Sequence, residues 1–404
     1  MAFKVLLVVG AVLVAGVAYM LSRPMNPAVS EPWKVRTVGS LYGITFLAGV
    51  LGEKLGLGTQ MNITRYFFDR LLVFTSSTVD PQLVQREDTL FDSIAVRIYR
   101  PTKAKTSSPR AGMVFYHGGG WVLGSVASHD PVAAHFAVEA NMVVVSVEYR
   151  MAPEFPYPVP LDDCVTATKY FIQHAAKFNV DPNRVAIGGD SAGGNLAAAV
   201  SLKLRDTGFR PMPKAQVLIY PVLQLLDFNT PSYFRAFKYQ SDNSVMGMIV
   251  GYYLGAPKKH HASIANNLHI SPELRKRYAP YLKTEVLPDG FVLPDYKPTD
   301  VNLQWDKTVP KDLGLTATDI YVSPLLADDL KNLPEAFVLT VGSDALRDEG
   351  VMFAYRLKEA GVKATWVDIP DTFHGCICAT GGLLGTKSGR RANEAIVKLL
   401  KENV

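Results

Sequence analysis

The chain reads as an α/β protein, with a mostly parallel central sheet, helices on both of its faces and a mostly helical cap. Three observations predict this. Short runs dense in β-branched residues recur after residue 90, helical stretches alternate with them, and the alternation breaks once, between about Leu225 and Thr318. Apolar runs that can be buried on both faces, separated by helices, argue for parallel strands covered on each side.

In chain order, Ser93–Tyr99 alternates as a half-buried strand should, and Gly112–Tyr116 is a short apolar run ending at glycines. Met142–Val147, Arg184–Ile187 and Gln216–Ile219 follow, then Ala336–Val341 and Ala364–Ile369. Helical periodicity fits Asp162–Lys177, Ala192–Arg205, Glu349–Ala360 and the final Arg390–Glu402. The interruption holds clustered aromatics and prolines and the basic patch Lys258-Lys259-His260-His261, but no strand series. It returns to the same sheet at Ala336, so it reads as an inserted cap. The organisation expected is 1–23, an anchor; 24–90, a second cap or membrane-interface segment; 91–224 and 318–404, the two parts of the core; and 225–317, the insertion.

The chain has 404 residues and a formal charge of +5, too thin an excess for a nucleic-acid footprint. Hydrophobic residues at 48% and charged ones at 20% exclude a disordered chain. Cys164, Cys376 and Cys378 cannot make a disulfide framework, and Cys376 and Cys378 are too close for an unstrained bridge. Free thiols are expected, with no metal set around them.

Val5–Leu21 carries no charge, and Ser22 extends the stretch between Lys4 and Arg23. A helix over it would be about 27 Å long, enough to cross a thin bilayer. An uncleaved signal anchor is the expected reading, with a cleaved signal peptide its rival. Gly39–Gly58 is apolar again but is broken by Glu53 and Lys54, which fits a cap or interfacial helix better than a second span. Asn62-Ile63-Thr64 is a glycosylation sequon, usable only if the body of the protein is lumenal.

The chemistry sits at strand ends. Gly189-Asp190-Ser191-Ala192-Gly193 places a serine on a turn between a strand and a helix, where glycines permit the sharp bend that exposes its hydroxyl. His117-Gly118-Gly119-Gly120-Trp121 follows another strand, and glycines there let backbone N–H groups converge on an oxygen. Gly118 and Gly119, with Ala192, are the oxyanion donors expected; His117 reads as a structural residue of the loop, and Gly120 and Asp190 as supporting members of the two motifs. A serine needs a base, and the base needs an orienting acid, in the chain order serine, acid, histidine. His260, His261 and His269 lie in the insertion, so His374, just beyond the last strand, is the base expected. Asp344 comes first after the preceding strand and is the expected acid, with Asp348 the alternative. Asp348 and Glu349 read as helix N-terminal residues facing the macrodipole, and Asp371 as a turn carboxylate.

HGGGW, Glu148-Tyr149-Arg150-Met151-Ala152-Pro153-Glu154, GDSAGGN, Asp344-x-Leu346-Arg347-Asp348-Glu349-Gly350 and Phe373-His374-Gly375 together resemble the hormone-sensitive-lipase-like family of α/β hydrolases. Within it, the resemblance runs to the group of arylacetamide deacetylase and neutral cholesterol ester hydrolase, over nearly the whole chain. It implies an α/β-hydrolase fold and a serine esterase or amidase acting on lipophilic substrates. Ser191, Asp344 and His374 would be the triad, and Gly118, Gly119 and Ala192 the oxyanion hole. It also implies an endoplasmic reticulum membrane protein with a lumenal catalytic body, needing no cofactor and no obligate protein partner. Where some arylacetamide deacetylases carry cysteines just after HGGGW and just before the acid, Val122 and Val341 stand here, so no disulfide can join those loops. Two other functions stay open: a neutral lipid or cholesteryl ester hydrolase, and an inactive ligand-binding protein on the same fold.

Overall fold

The computed structural model describes residue 18 and residues 24–102, 108–239 and 243–404. Apart from Ala18, the expected anchor at 1–23 therefore lies outside the described residues. Eight strands form one sheet in the order β1-β2-β4-β3-β5-β6-β7-β8. They are β1 (Val84–Phe91), β2 (Ile94–Pro101), β3 (Arg110–Tyr116), β4 (Val143–Val147), β5 (Val180–Asp190), β6 (Ala215–Ile219), β7 (Glu335–Ser343) and β8 (Ala364–Phe373). The first two pairings, β1 with β2 and β2 with β4, are antiparallel; every other is parallel.

All seven expected strands are present, most extended by a residue or more at one or both ends. The eighth, β1, was not expected. It is an edge strand whose sequence, VQREDTLF, buries only its terminal Val84 and Phe91, so no apolar alternation marks it. Asp92 and Ser93, both at positive φ (45° and 73°), turn it back into β2. The sheet thus begins at Val84, inside the stretch assigned above to the N-terminal cap segment.

Twelve helices are described: α1 (Pro32–Lys54), α2 (Gln60–Thr75), α3 (Asp130–Glu139), α4 (Val159–Gln173), α5 (Ala192–Asp206), α6 (Pro231–Tyr239), α7 (Asn243–Tyr253), α8 (His261–Ala265), α9 (Pro272–Tyr278), α10 (Lys311–Ala317), α11 (Arg347–Glu359) and α12 (Lys387–Asn403). The two faces of the sheet bury separate cores, because successive side chains of a strand point to opposite faces. On β3, Val114 and Tyr116 join Phe171 of α4, Leu196 of α5 and Phe353 of α11. Met113 and Phe115 join Phe136 of α3, Ile396 of α12 and Val35 and Val38 of α1.

Two segments lie over the open ends of the parallel strands. α1 and α2 form an antiparallel hairpin that closes tightly at two glycines. A Cβ on Gly49 would lie 2.1 Å from Thr64 Oγ1, and one on Gly52 2.5 Å from Ile63 Cδ1. α7, from the insertion after β6, faces this hairpin through a small cluster of Met61, Val122, Leu123, Ala152 and Tyr252, with Phe46, Phe68 and Ile249 packed on it. β3, β5, β7 and β8 all deliver their C-terminal ends to one edge of the sheet, where open parallel sheets bind ligands.

Candidate active site

Ser191 joins the last residue of β5 to the first of α5 at φ 57°, ψ −118°. Side chains rarely adopt this conformation, and it persists only where the surroundings dictate it. Here they do. A Cβ on Gly189 would lie 2.3 Å from the carbonyl oxygen of Tyr116, and one on Gly193 only 1.9 Å from the same atom. Both motif glycines are therefore required by the approach of the turn to the end of β3. The Ser191 N–H donates to Ile219 O at 2.8 Å, pinning the turn to β6 as well.

His374, directly after β8, meets this serine. Its Nε2 lies 2.9 Å from Ser191 Oγ, and its Nδ1 lies 2.9 Å from Asp344 Oδ2. The other oxygen of Asp344 accepts from Leu346 N at 2.9 Å, which fixes the carboxylate. Burial pulls the His374 imidazole down, but the adjacent Asp344 carboxylate more than offsets this, and its pKa is raised above the ordinary histidine value. The ring rests on buried Tyr220, centroids 4.7 Å apart.

The rival acids are placed elsewhere. Asp371 pairs with Arg391 on the surface. Asp348 accepts from Ser232 N at 2.6 Å. Asp348 and Glu349 do stand in the first turn of α11, as expected, but both side chains are buried. Burial pushes Asp348 up to about 6 and Glu349 up to about 8. Glu349 accepts from Leu223 N, Gln224 N and Gln224 Nε2, so it braces the strand end after β6.

The oxyanion assignment is also corrected at one residue. The Gly118 N–H is committed to Asp190 Oδ1 at 2.8 Å, and a Cβ there would strike that same carboxylate. The N–H groups of Gly119, Gly120 and Ala192 donate to nothing among the described residues. Gly119 (φ 119°) and Gly120 (φ 64°) both need backbone that other residues avoid. Asp190 thus does more than fill its motif, since it holds the glycine loop against the serine turn.

Sequence reasoning missed the support behind this loop. Buried His129 lies with Nε2 3.5 Å from Asp190 Oδ1. Burial disfavours its charge, but Cys378 and Asp190 beside it raise its pKa well above the ordinary value. His117 is the opposite case, with burial the main cause lowering it to about 3. It stacks on Tyr149 at 4.3 Å and is structural, as its position suggested. Arg65 of α2 donates to Val122 O (2.7 Å) and Ala152 O (2.6 Å) and pairs with Glu154, tying the N-terminal hairpin to the loop after HGGGW. A lone arginine in a helix carries no sequence signal of that kind. Asn62 is exposed in the first turn of α2, its Oδ1 accepting from Arg65. All three cysteines are buried and unbridged.

Ser191, His374 and Asp344 border a cavity of about 350 Å³. The glycine loop forms one wall; Tyr42, Phe46, Phe68 and Leu72 from the hairpin and Val245, Met246 and Ile249 from α7 form the apolar remainder.

The mostly parallel sheet carries a strained serine turn and a Ser-His-Asp hydrogen-bonded chain at its C-terminal edge, the architecture of an α/β hydrolase. The sequence pattern of the α/β-hydrolase fold matches residues 113–282 and 247–378. Bovine (Bos taurus) arylacetamide deacetylase is 36% identical over 403 residues, covering 97% of each chain. Neutral cholesterol ester hydrolase 1 of Rattus norvegicus is 36% identical over 411 residues, covering 98% of each. Among solved structures, an α/β hydrolase enzyme from the metagenome of Lake Arreo, Spain, superposes with a TM-score of 0.65 at 27% identity, covering 93% of this chain and 98% of that one. The chain belongs to the hormone-sensitive-lipase-like α/β-hydrolase family and is by class a carboxylic ester hydrolase.

Proposed function

We propose that this protein is a membrane-anchored serine esterase that cleaves carboxylic esters or aryl amides of lipophilic substrates by two-step acyl transfer, in the manner of an arylacetamide deacetylase. The observation that carries the reading is the Ser191–His374–Asp344 chain, at 2.9 Å and 2.9 Å, on the wall of an apolar cavity. His374 takes the proton of Ser191 as Oγ attacks the acyl carbonyl, while Asp344 holds the ring and its positive charge. The oxyanion is received by the N–H groups of Gly119, Gly120 and Ala192. His374 then protonates the leaving alcohol or amine, and water activated by the same ring releases the acid.

The cavity favours a small or medium acyl group. About 350 Å³ lies at the lower end of the range for enclosed ligand sites, roughly 300–1,000 Å³. A sterol ester would extend well beyond it, which ranks cholesteryl ester hydrolysis second despite the similarity to the rat enzyme. The uncharged Val5–Ser22 stretch supports attachment to a membrane, in our reading that of the endoplasmic reticulum with the body lumenal as the family resemblance implies, and the exposed Asn62 side chain supports use of its sequon.

The test is hydrolysis of a graded series of p-nitrophenyl acyl esters by membranes carrying the wild type or Ser191→Ala. A steep loss in the variant with a preference for short acyl chains is expected. A long-chain optimum would move the assignment to a neutral lipid hydrolase. Equal background rates in both would mean a ligand-binding protein.

A further inference from the structure

We propose that α1 lies flat in the membrane interface, its outward arc seated on an anionic lipid surface beside the mouth of the cavity. The proposal rests on the membrane-anchor part of the proposed function for its tether and on the esterase part for its activity arm. α1 is long and apolar enough by composition to span a membrane (23 residues, mean hydropathy 1.3). Its position rules that out. Val35 and Val38 are packed into the core, Tyr42 and Phe46 line the cavity, and Gly49 and Gly52 are closed against α2.

The opposite side of the helix is apolar over its C-terminal half, while Thr37 and buried Ser40 interrupt it between Trp33 and Leu47. At about 100° per residue, Trp33, Leu47, Leu51 and Leu55 (α1's C-cap) fall within one arc of roughly 80°, facing away from Val38 and Thr45. All four are exposed, Leu55 by 74%, and Leu57 just beyond is exposed by the same fraction. A soluble surface has no reason to gather large side chains in this way.

Two further observations select a lipid surface as the occupant. The first is the tether. Only Arg23–Glu31 separates the uncharged Val5–Ser22 stretch from α1, a reach of at most about 30 Å. The start of α1 is pinned to the core by Ser30 N to Asp371 O and by Lys387 N to Glu31 Oε2. A membrane-embedded segment at 5–22 therefore keeps Trp33, an interfacial residue, close to the headgroups. The second is charge. Exposed Lys54 borders the far end of the arc, and exposed Lys258, next to Lys259 in sequence, has its Nζ 3.9 Å from Glu53 at the same end of the helix. This basic patch has no part in the chemistry, and cations beside an apolar arc suit anionic headgroups. A substrate dissolved in the bilayer would then pass the side of α1 to reach Phe46 and the cavity.

The experiment uses the full chain reconstituted into vesicles of phosphatidylcholine, with or without one-fifth phosphatidylserine. Because Cys164, Cys376 and Cys378 are buried, Leu55→Cys can be labelled selectively with an environment-sensitive fluorophore. Quenching by bromine-labelled lipid tails, stronger with phosphatidylserine and weakened by salt, is expected. A label that stays in water while the protein floats with the vesicles overturns the proposal, whether the face is bare or covered by protein. In the activity arm, Leu47→Asp/Leu51→Asp should lose about tenfold on an ester dissolved in the vesicles and less than twofold on soluble p-nitrophenyl acetate. Equal losses on both overturn it. If the wild type hydrolyses neither ester, the esterase reading fails while the label still decides the docking.

Discussion

The two walls of the cavity are built on different physics. One is the edge of the sheet, where Ser191 sits at a strained φ and ψ, Gly119 and Gly120 take positive φ, and Gly193 lies where a single methyl would meet Tyr116 O at 1.9 Å. Its geometry is dictated by backbone contact and by directed hydrogen bonds to Asp190, Ile219 and Asp344. The other is the cap, where Phe46, Phe68, Leu72, Met246 and Ile249 line the cavity with apolar side chains. Apolar contact is non-directional and tolerates repacking, whereas a short backbone approach tolerates nothing. Under the proposed function, the sheet wall sets whether the reaction occurs and the cap wall sets on what.

The largest test of that contrast is removal of the nucleophile or base. Ser191→Ala or His374→Ala should reduce kcat by about 10⁴–10⁶ while thermal unfolding stays near wild type, checked by ester hydrolysis and calorimetry. Next comes the loop. Gly119→Ala puts a Cβ 2.1 Å from Leu123 O at φ 119° and should cost about 10²–10³ in kcat, with KM moving far less. A change confined to KM would remove Gly119 from the oxyanion site.

A third prediction concerns stability behind the sheet wall. Glu349 has an unfolded value near 4.5 and is pushed up to about 8 by burial, so between those limits the folded state holds a proton that the unfolded state has lost. Stability contributed by this group is full below 4.5 and is lost as pH rises from there through 8, by on the order of 5 kcal/mol. Denaturant midpoints of wild type should drop across that window relative to Glu349→Gln, and parallel curves would refute the assignment.

On the cap wall the effects should be smaller and selective. Met246→Ala should raise kcat/KM for longer acyl chains about tenfold relative to acetate, leaving acetate within roughly threefold. A uniform loss over the whole series would mean that α7 supports the chemistry directly. The smallest effect is a displacement on the pH axis. Attack requires neutral His374, and Asp344 raises its pKa, so the acidic limb of kcat/KM should lie above 6.5, activity falling as pH drops through it. Asp344→Asn should move what activity survives toward acid.

The central strands and the serine turn were legible in sequence because each is written in consecutive residues. A run such as VVVSV declares a buried strand, and Gly189-x-Ser191-x-Gly193 has no other use between a strand and a helix. Strand β1 was not legible, since an edge strand with polar residues on both faces carries no period. Asp344 could be preferred over Asp348 by its place after β7, but one helical turn separates them in sequence, and only the packing of Asp348 against Ser232 removes it.

Sequence by itself determined the fold class and the order of the chemical groups along the chain, because hydrophobic period and turn residues are written in neighbouring positions. Tertiary structure alone decided that Gly118 serves Asp190 while Gly119 and Gly120 keep free N–H groups, that Glu349 is buried, and that Arg65 clamps the hairpin to the glycine loop. It also decided which half of α1 faces the cavity and which faces outward. Those facts depend on groups far apart in the chain meeting within about 3 Å, and burial and hydrogen bonding at that range are set by the packed whole.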